Sequence, residues 1–356
     1  MRVLFDITHP AQLHFFKYAM QELHDQGHNV LATARDKDVT LGLSAALGIP
    51  CVSISRMGTG LAGMAKELVQ RDWRLLLLAG SFRPDVMVAR MGISIGFVGA
   101  VLGVPRIIFE DTEHARLQAA LSLPLATVIC TGTGYLKKYG RRQLRYRGIP
   151  ALAYLAPNRF QPNPRPLRQA GVQPDQPYIV LRLVAWAAAH DAGLSGPSEQ
   201  EVIETVERLS HFGRVLISSE QPLPSSLRDH RNPVPIEHMH DLLAFASLYM
   251  GEGGTMAAEA AVLGTPAIFC NPLRTGYLLA LEKRYQLVHN TDTLAQGAQI
   301  AERILRRQNL RQEWQRKRRT LLEQSDDIVQ FTCRVINEIG TRRRSRRTPS
   351  QASSAT

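Results

Sequence analysis

The sequence lacks long apolar runs. No stretch reaches the ~18 uninterrupted apolar residues that a transmembrane helix requires. The best candidate, between Arg90 and Arg106, is short, rich in glycine and closed by Pro105. The amino terminus also lacks the basic segment followed by an apolar core that marks a signal peptide. We therefore expect a cytoplasmic protein.

Closely spaced cysteines are absent as well. The four cysteines lie far apart in the sequence and form no CxxC pair: Cys51, Cys130, Cys270 and Cys333. This spacing does not suit a metal or redox site, so buried free thiols are the expected state. We expect no metal ion and no cofactor.

The composition is that of a globular protein, with 44% hydrophobic and 21% charged residues. It excludes disordered chains, collagen-like chains and disulfide scaffolds. At ~150 residues per domain, a chain of 356 residues favours two domains. The 43 Lys and Arg exceed the 31 Asp and Glu, which gives a net charge of +12.

The excess positive charge lies in three runs, at residues 137–147, 316–319 and 342–347. Solvated surfaces are the ordinary interpretation of such runs. Attraction to an anionic membrane surface is the functional alternative, at ~1 kcal/mol per Lys or Arg. The last run lies in a Ser/Thr/Pro-rich tail, 341–356, which we expect to be disordered and to provide that attraction. Basic motifs interleaved with aromatics are missing, so no nucleic-acid partner is expected.

Short apolar strands alternate with helical patterns through most of the chain. In the first half, for example, Val3–Phe5 predicts a strand and Phe15, Ala19 and Leu23 mark one helix face. Six prolines between Pro157 and Pro177 then predict a linker without helix or central strand. The alternation restarts at Tyr178. Such βαβ units predict two doubly wound parallel sheets, each in its own α/β domain.

The segment Gly251–Pro266 follows an apolar strand and opens a helix. Its glycines allow a sharp turn and close approach of an anion, which the helix amino terminus favours. We expect Thr255 to cap the helix, Glu259 to reach a ribose hydroxyl, and a branched side chain at Gly254 to fill the place of a phosphate. A plain strand–turn–helix junction is the alternative.

This segment resembles the nucleotide-diphosphate loop of GT-B glycosyltransferases and UDP-N-acetylglucosamine 2-epimerases. The shared features are the glycine pair, Glu259-Ala260 and Leu263-Gly264-Thr265-Pro266. The stretch Asp6–Phe16 and the Glu110–Ala115 segment resemble a narrower GT-B-like family, known as domain of unknown function 354 (DUF354). The resemblance spans roughly Met1 to Gly340. It implies two Rossmann-like domains that face a cleft, with the nucleotide held mainly by the second.

With this resemblance, the chain divides into five parts. We expect an amino-terminal acceptor-side domain, a Pro-rich linker, a nucleotide-binding domain, a helix that crosses back to the first domain, and the basic tail. Their respective bounds are 1–156, 157–177, 178–325, 326–340 and 341–356.

Candidate catalytic residues follow two strands of the first domain. Pro10-Ala11-Gln12-Leu13-His14 resembles the Pro-x-Gln-Gly-His motif of nucleotide-sugar glycosyltransferases, with Leu13 in place of glycine. The resemblance implies that His14 is the base, and a histidine suits proton abstraction at neutral pH. His9 lies nearby, while Glu110 and Asp111 end another strand, where an acid is expected to orient His14. Capping, core packing and a solvated helix start are the alternatives.

The remaining candidate site residues lie in the second domain. Arg182 ends its first strand and suits bidentate pairing with phosphate. Ser218 ends the next strand. The resemblance implies that Ile236 and His238 contact the nucleotide base. With Gly253, Gly254, Thr255 and Glu259, these residues form the predicted nucleotide-sugar site.

The sequence thus predicts a metal-independent glycosyltransferase that uses a nucleotide-sugar donor, with UDP as the expected nucleotide. The expected acceptor is a lipid-linked or polysaccharide intermediate at the inner face of the membrane, where the enzyme would be peripheral. A 2-epimerase-like isomerase that uses Glu110 is one alternative. A nucleotide-binding protein without catalysis is the other. An epimerase consumes a UDP-sugar alone, whereas a transferase needs an acceptor.

Overall fold

Two parallel sheets organise the chain in the computed structural model. The structure describes residues 1–36, 40–58, 60–184 and 196–347, with the backbone alone for Leu61 and 344–347. Within these residues, no helix has the length and apolar character needed to cross a membrane.

The first sheet has seven strands in the order β3-β2-β1-β4-β5-β6-β7. Its central strands are buried along nearly their whole length, as expected for a parallel sheet covered on both faces. The strands are β1 Arg2–Ile7, β2 Asn29–Asp36, β3 Val52–Arg56, β4 Val86–Arg90, β5 Arg106–Glu110, β6 Val128–Gly132 and β7 Gln143–Tyr146.

Helices cover both faces of this sheet, because successive residues of a strand point to opposite sides. Val3 and Phe5 pack in the core that contains α1, whereas Leu4 packs with residues of α3 and α4. The helices are α1 Pro10–Asp25, α2 Thr40–Ala46, α3 Gly60–Phe82, α4 Ile93–Val101, α5 Arg116–Ser122 and α6 Leu152–Leu155. Short 3-10 turns occupy Leu123–Leu125 and Gly140–Arg142.

The second sheet has five parallel strands in the order β12-β11-β10-β8-β9. These strands are β8 Tyr178–Leu183, β9 Arg214–Ser219, β10 Leu248–Gly251, β11 Ala267–Cys270 and β12 Val288–Thr291. The helices are α8 Glu199–Ser210, α9 Met239–Phe245, α10 Gly254–Leu263, α11 Gly276–Lys283, α12 Leu294–Leu305 and α13 Leu310–Glu323, with 3-10 turns at Ser225–His230 and Ile236–His238.

The chain passes between the domains at two neighbouring places. The first crossing is the Pro-rich segment, and the second follows α13. Arg159 of the first crossing donates to Asp327 of the second at 3.1 Å, and the backbone N–H of Arg147 donates to Asp326 at 2.8 Å. Part of the predicted linker is helical, contrary to expectation: α7 spans Arg165–Gln169. Pro166 is tolerated there because a proline in the first helical turn forfeits no helical hydrogen bond.

The last helix, α14, spans Ile328–Arg347 and returns to the first domain. The Cys333 thiol lies 3.8 Å from the Ala19 carbonyl of α1, and Arg343 donates to the Pro84 carbonyl at 2.9 Å. The expectation of a disordered tail from residue 341 is therefore wrong for 341–347. Arginine is a good helix former, so the run continues a helix that is already packed. Residues 348–356 lie outside the described part of the chain.

Two parallel α/β domains confirm the predicted fold class. The strands expected from apolar runs are present in both sheets. The sheets also contain two strands that the sequence patterns did not indicate, β7 and β12. β7 is only four residues long and lies within the basic run 137–147. The charged residues hide the alternation of apolar and polar side chains that predicts a strand.

Candidate functional site

The glycine-rich segment forms a tight junction between β10 and α10. Gly251 has a φ of 152°, and a Cβ there would lie 2.7 Å from the backbone nitrogen of Arg182. The expectation that Thr255 caps α10 is wrong, because the N-cap is Gly253 and Thr255 lies exposed in the first turn. No described side chain caps this end of the helix. Within the described part of the chain, its first amides therefore have no side-chain acceptor.

Gly254 faces the protein interior rather than the cleft. A Cβ there would lie 3.2 Å from Leu278 Cδ1, 3.2 Å from the Tyr277 hydroxyl and 3.4 Å from Phe269. A branched side chain at Gly254 would therefore strain the core, so it would not selectively fill the place of a phosphate as expected.

Arg182 and Ser218 lie together at the carboxyl ends of β8 and β9. The Arg182 guanidinium donates to the Ser218 hydroxyl at 3.2 Å and forms an ion pair with Glu220. A Cβ on Gly253 would lie 3.2 Å from Arg182 Cγ, so the arginine side chain borders the glycine junction. These two predicted site residues are thus adjacent to the amino terminus of α10.

Ile236 and His238 occupy the 3-10 turn before α9. The Ile236 side chain is exposed, and His238 Nδ1 lies 3.3 Å from an Asp241 carboxylate oxygen. Asp241 in turn accepts from the backbone N–H of Asn163 at 2.8 Å. The exposed Ile236 remains free to contact a base, while His238 is held by the start of α9. Their role in base binding stays a prediction.

Glu259 points toward the first domain from the second turn of α10. It is 5% exposed, and its Oε1 accepts from the Tyr154 hydroxyl at 2.6 Å. His240 Nε2 lies 3.3 Å from the same oxygen. The carboxylate expected to bind a ribose hydroxyl is therefore engaged in a contact between the domains, and a ribose would have to share it.

His14 lies on the first-domain side of this contact. Its ring stacks on Tyr154 at a centroid distance of 5.4 Å and meets the edge of His240 at 4.7 Å. Nδ1 is buried and has no hydrogen-bond partner among the described residues. Burial, then the neighbouring His240 and Lys17, hold the pKa of His14 well below 6.5. The imidazole is therefore neutral at physiological pH.

Glu110 ends β5 and Asp111 follows it, and the two carboxyl groups lie in different environments. Glu110 Oε1 accepts from the backbone N–H groups of Asp111 and Thr112 at 3.0 and 2.8 Å, while buried Oε2 has no partner in the described chain. Burial, followed by the charge of Asp111, raises the pKa of Glu110 to about 7. Asp111 itself pairs with Arg90. Neither acid has a hydrogen bond to His14 within the described residues, so the expected acid–His14 pair is not formed.

His9 has a structural role in this arrangement. It is the N-cap of α1, and its Nδ1 accepts from the backbone N–H of Ala11 at 3.2 Å. The side chain is exposed. A catalytic role for His9 stays a prediction.

Several residues of this region had no individual signal in the sequence. Tyr154 and His240 complete the cluster around His14 and Glu259, which we call the interdomain cluster. A second contact joins the domains where Glu113 accepts from the backbone N–H of Gly276, at the start of α11, at 3.1 Å. Tyr154 belongs to no recognised motif. The sequence around His240 does not distinguish it from other loop histidines as a site residue.

Two parallel α/β domains meeting in this way define the GT-B fold. The UDP-GlcNAc 2-epimerase from Neisseria meningitidis bound to UDP-GlcNAc matches with a TM-score of 0.71 at 11% identity, over 96% of this chain and 100% of that one. S. aureus MnaA with UDP gives 0.69 at 11% identity, over 96% of each chain. Acinetobacter baumannii MurG gives 0.57 at 14%, over 95% and 100%. At these identities, the likeness shows the fold.

Within that fold class, the chain belongs to the family described as Protein of unknown function (DUF354), which matches residues 1–339. A relative, an uncharacterized protein of Methanocaldococcus jannaschii, is 25% identical over 306 residues, covering 82% of this chain and 88% of the relative. The family resemblance predicted from Asp6–Phe16 and Glu110–Ala115 is thus confirmed.

Proposed function

We propose that the protein is a glycosyltransferase that uses a nucleotide-sugar donor, with UDP as the nucleotide. The acceptor would be a lipid-linked or polysaccharide intermediate. The observation that carries this proposal is the amino terminus of α10, whose first amides have no side-chain acceptor among the described residues. This helix end lies beside Arg182, and the same helix presents Glu259 to the first domain.

The start of α10 is suited to a diphosphate leaving group. When the bond from the sugar to the diphosphate breaks, negative charge develops on the diphosphate oxygens. The first-turn amides and the positive end of the helix dipole stabilise charge at that position. The Arg182 guanidinium adds a planar cation, which pairs with Glu220 in this structure and would exchange that carboxylate for phosphate.

His14 is suited to remove the proton of the acceptor hydroxyl. A base must be unprotonated before it acts, and the lowered pKa of His14 keeps its ring neutral at pH 7. Stacking on Tyr154 fixes the plane of the imidazole. In this proposal, the acceptor enters from the first domain and its hydroxyl approaches a ring nitrogen of His14.

The properties of Glu110 support a second candidate function, that of an epimerase-type isomerase. Inversion at a sugar carbon requires a group that removes a proton and returns it. A buried carboxyl with a pKa of about 7 and an unengaged Oε2, within the described residues, has the properties of such a group. Both 2-epimerases and glycosyltransferases occur among the GT-B structures that resemble this chain.

The two reactions differ in what they consume. Purified protein would be incubated with a panel of UDP-sugars, with and without lipid-linked and polysaccharide acceptors, while release of UDP is measured. UDP release that depends on an acceptor supports the transferase. A change of sugar configuration without acceptor supports the isomerase. UDP affinity by calorimetry without turnover in either arm would contradict both and leave a nucleotide-binding protein.

A further inference from the structure

Three neighbouring helices of the first domain expose large apolar side chains. Val69, Trp73 and Leu77 follow one stripe of α3, with exposed fractions of 71%, 61% and 57%. α4 packs between α3 and α5. These helices cover the sheet face opposite the core that contains α1. We call their solvent-facing side the outer-helix face.

The same spacing recurs on the other two helices. Phe97 and Val101 of α4 are 42% and 74% exposed, and Leu117 and Leu121 of α5 are 70% and 37% exposed. Each pair is four residues apart, which places both members on one side of a helix. The buried residues of these helices face the sheet instead. Exposed apolar residues that recur on three adjacent helices mark a contact surface rather than isolated surface residues.

The charges of the outer-helix face have one sign. Lys66, Arg74 and Arg116 are exposed, and no exposed Asp or Glu occurs on the described side chains of α3, α4 and α5. The two acids of α3 are turned inward: Glu67 is 6% exposed and pairs with Arg35, and the partly buried Asp72 hydrogen-bonds Ser94.

The basic run 137–147 continues this face. Arg142 donates to the carbonyl of Pro124 at 2.9 Å, directly after α5, which joins the run to that helix. Lys138, Arg141 and Arg145 are exposed within it. Residues 136–147 contain no acid and include Leu136, which is 63% exposed.

We propose that the outer-helix face is a docking surface for an anionic lipid bilayer. Apolar side chains with an exposed tryptophan, surrounded by Lys and Arg, are suited to the boundary between headgroups and acyl chains. A second copy of the chain is disfavoured, because a symmetric contact would place the two cationic rims against each other. The proposal is independent of the nucleotide-sugar chemistry, and its test contains no nucleotide.

The test is flotation of the full-length protein with vesicles of phosphatidylglycerol and phosphatidylcholine, at low and physiological salt. A Trp73→Ser, Leu77→Ser, Val101→Ser variant should lower binding to phosphatidylglycerol vesicles by at least about tenfold. Lys66→Gln with Arg116→Gln should lower it mainly at low salt, because salt screens exposed charges. The control is Met57→Ser, which removes an exposed apolar side chain from a segment outside this face and should leave binding unchanged.

Trp73 provides a direct readout. When vesicles are added, the tryptophan fluorescence of the wild-type protein should shift to shorter wavelength and be quenched by brominated lipid. The Trp73→Phe variant should not show this change. Equal binding of wild type and triple variant, or no binding at all, would overturn the proposal. The proposal would also be overturned if vesicle binding disappeared only on replacement of Arg342, Arg344 and Arg346 by Gln, because binding would then depend on the basic tail. Concentration-dependent dimers in sedimentation that the triple variant abolishes would assign the face to a second copy instead.

Discussion

At the scale of single residues, burial shifts the pKa values of Glu110 and His14 in opposite directions. Loss of water disfavours the charged form of either side chain, so the pKa of the acid rises and that of the base falls. Both shifts bring the groups toward states that an acid–base site at neutral pH can use. Each also makes a measurable contribution to the pH dependence of stability.

For Glu110, the shift predicts a stability loss as pH rises. The native pKa of about 7 lies above the unfolded value, so the native state binds the proton more tightly and loses stability as pH rises through that interval. Glu110→Gln removes this loss. The variant should match wild type near pH 4, below the unfolded pKa, and exceed it near pH 8 by up to ~3 kcal/mol of unfolding free energy. Urea unfolding at the two pH values measures the difference, and a difference independent of pH would contradict the assignment.

For His14, the prediction concerns turnover. His14→Ala should retain UDP affinity, because the nucleotide is expected on α10, and should lower turnover by ~10²–10⁴. His24→Ala is the matched control, since His24 is exposed near the carboxyl end of the same helix. Calorimetry and UDP release measure the two quantities. Wild-type turnover in His14→Ala would remove this residue from the mechanism and direct attention to Glu110.

Sequence motifs indicated candidate residues, whereas the surroundings of those residues left no pattern in the sequence. The sequence indicated His14 through its resemblance to a known motif, and Glu110 through its position at a strand end. It did not indicate that His14 lies between Tyr154 and His240, because those partners come from distant parts of the chain. The pairing of Asp111 with Arg90 depends likewise on β4 and β5 being neighbours in the sheet.

At the scale of secondary-structure elements, the start of α10 is the decisive feature. Its helix, its preceding strand and the glycine turn could be predicted because each leaves a local pattern. The orientation of the glycines could not, since it depends on the packing of Leu278 and Tyr277 from α11. This is why Gly254 is unsuitable as a test of phosphate binding and an exposed first-turn residue is better.

Thr255→Pro tests the α10 amides directly. Proline removes the N–H of the second helical position, which has no intrahelical partner, and Gly254 before it has no Cβ to clash. Loss of one amide donor to a charged phosphate should weaken UDP binding about tenfold. Thr255→Ala retains the amide and should bind as wild type. If calorimetry finds equal affinity for UDP in both folded variants, the diphosphate does not lie at this helix.

At the scale of the whole molecule, the two domains touch through backbone as well as side chains. A Cβ on Gly276 would collide with the backbone of Gly134, and would lie 2.5 Å from Glu113 Oε1. The alternation of strands and helices predicted both domains, yet it did not predict this contact. The mutual orientation of the two domains decides which of their surfaces meet. No local sequence pattern contains that information.

Gly276→Ala should therefore separate the domains at this point. Small-angle scattering should show a larger radius of gyration, and turnover should fall, while UDP binding by the second domain is retained. Gly42→Ala is the control, because a Cβ on Gly42 of α2 meets no atom of the described chain within 4 Å. An unchanged radius together with wild-type turnover would show that the cleft tolerates the added methyl group.

The two chain crossings have a mechanical consequence for how the cleft operates. Because they lie side by side and are joined by Arg159 and Asp327, both tethers restrain the domains at nearly one place. Two adjacent tethers permit rotation about that place and resist sliding of one domain past the other. Opening of the cleft would then be a rotation about that place. It would have to break the hydrogen bond from the Gly276 backbone N–H to Glu113 as well as the one from the Tyr154 hydroxyl to Glu259.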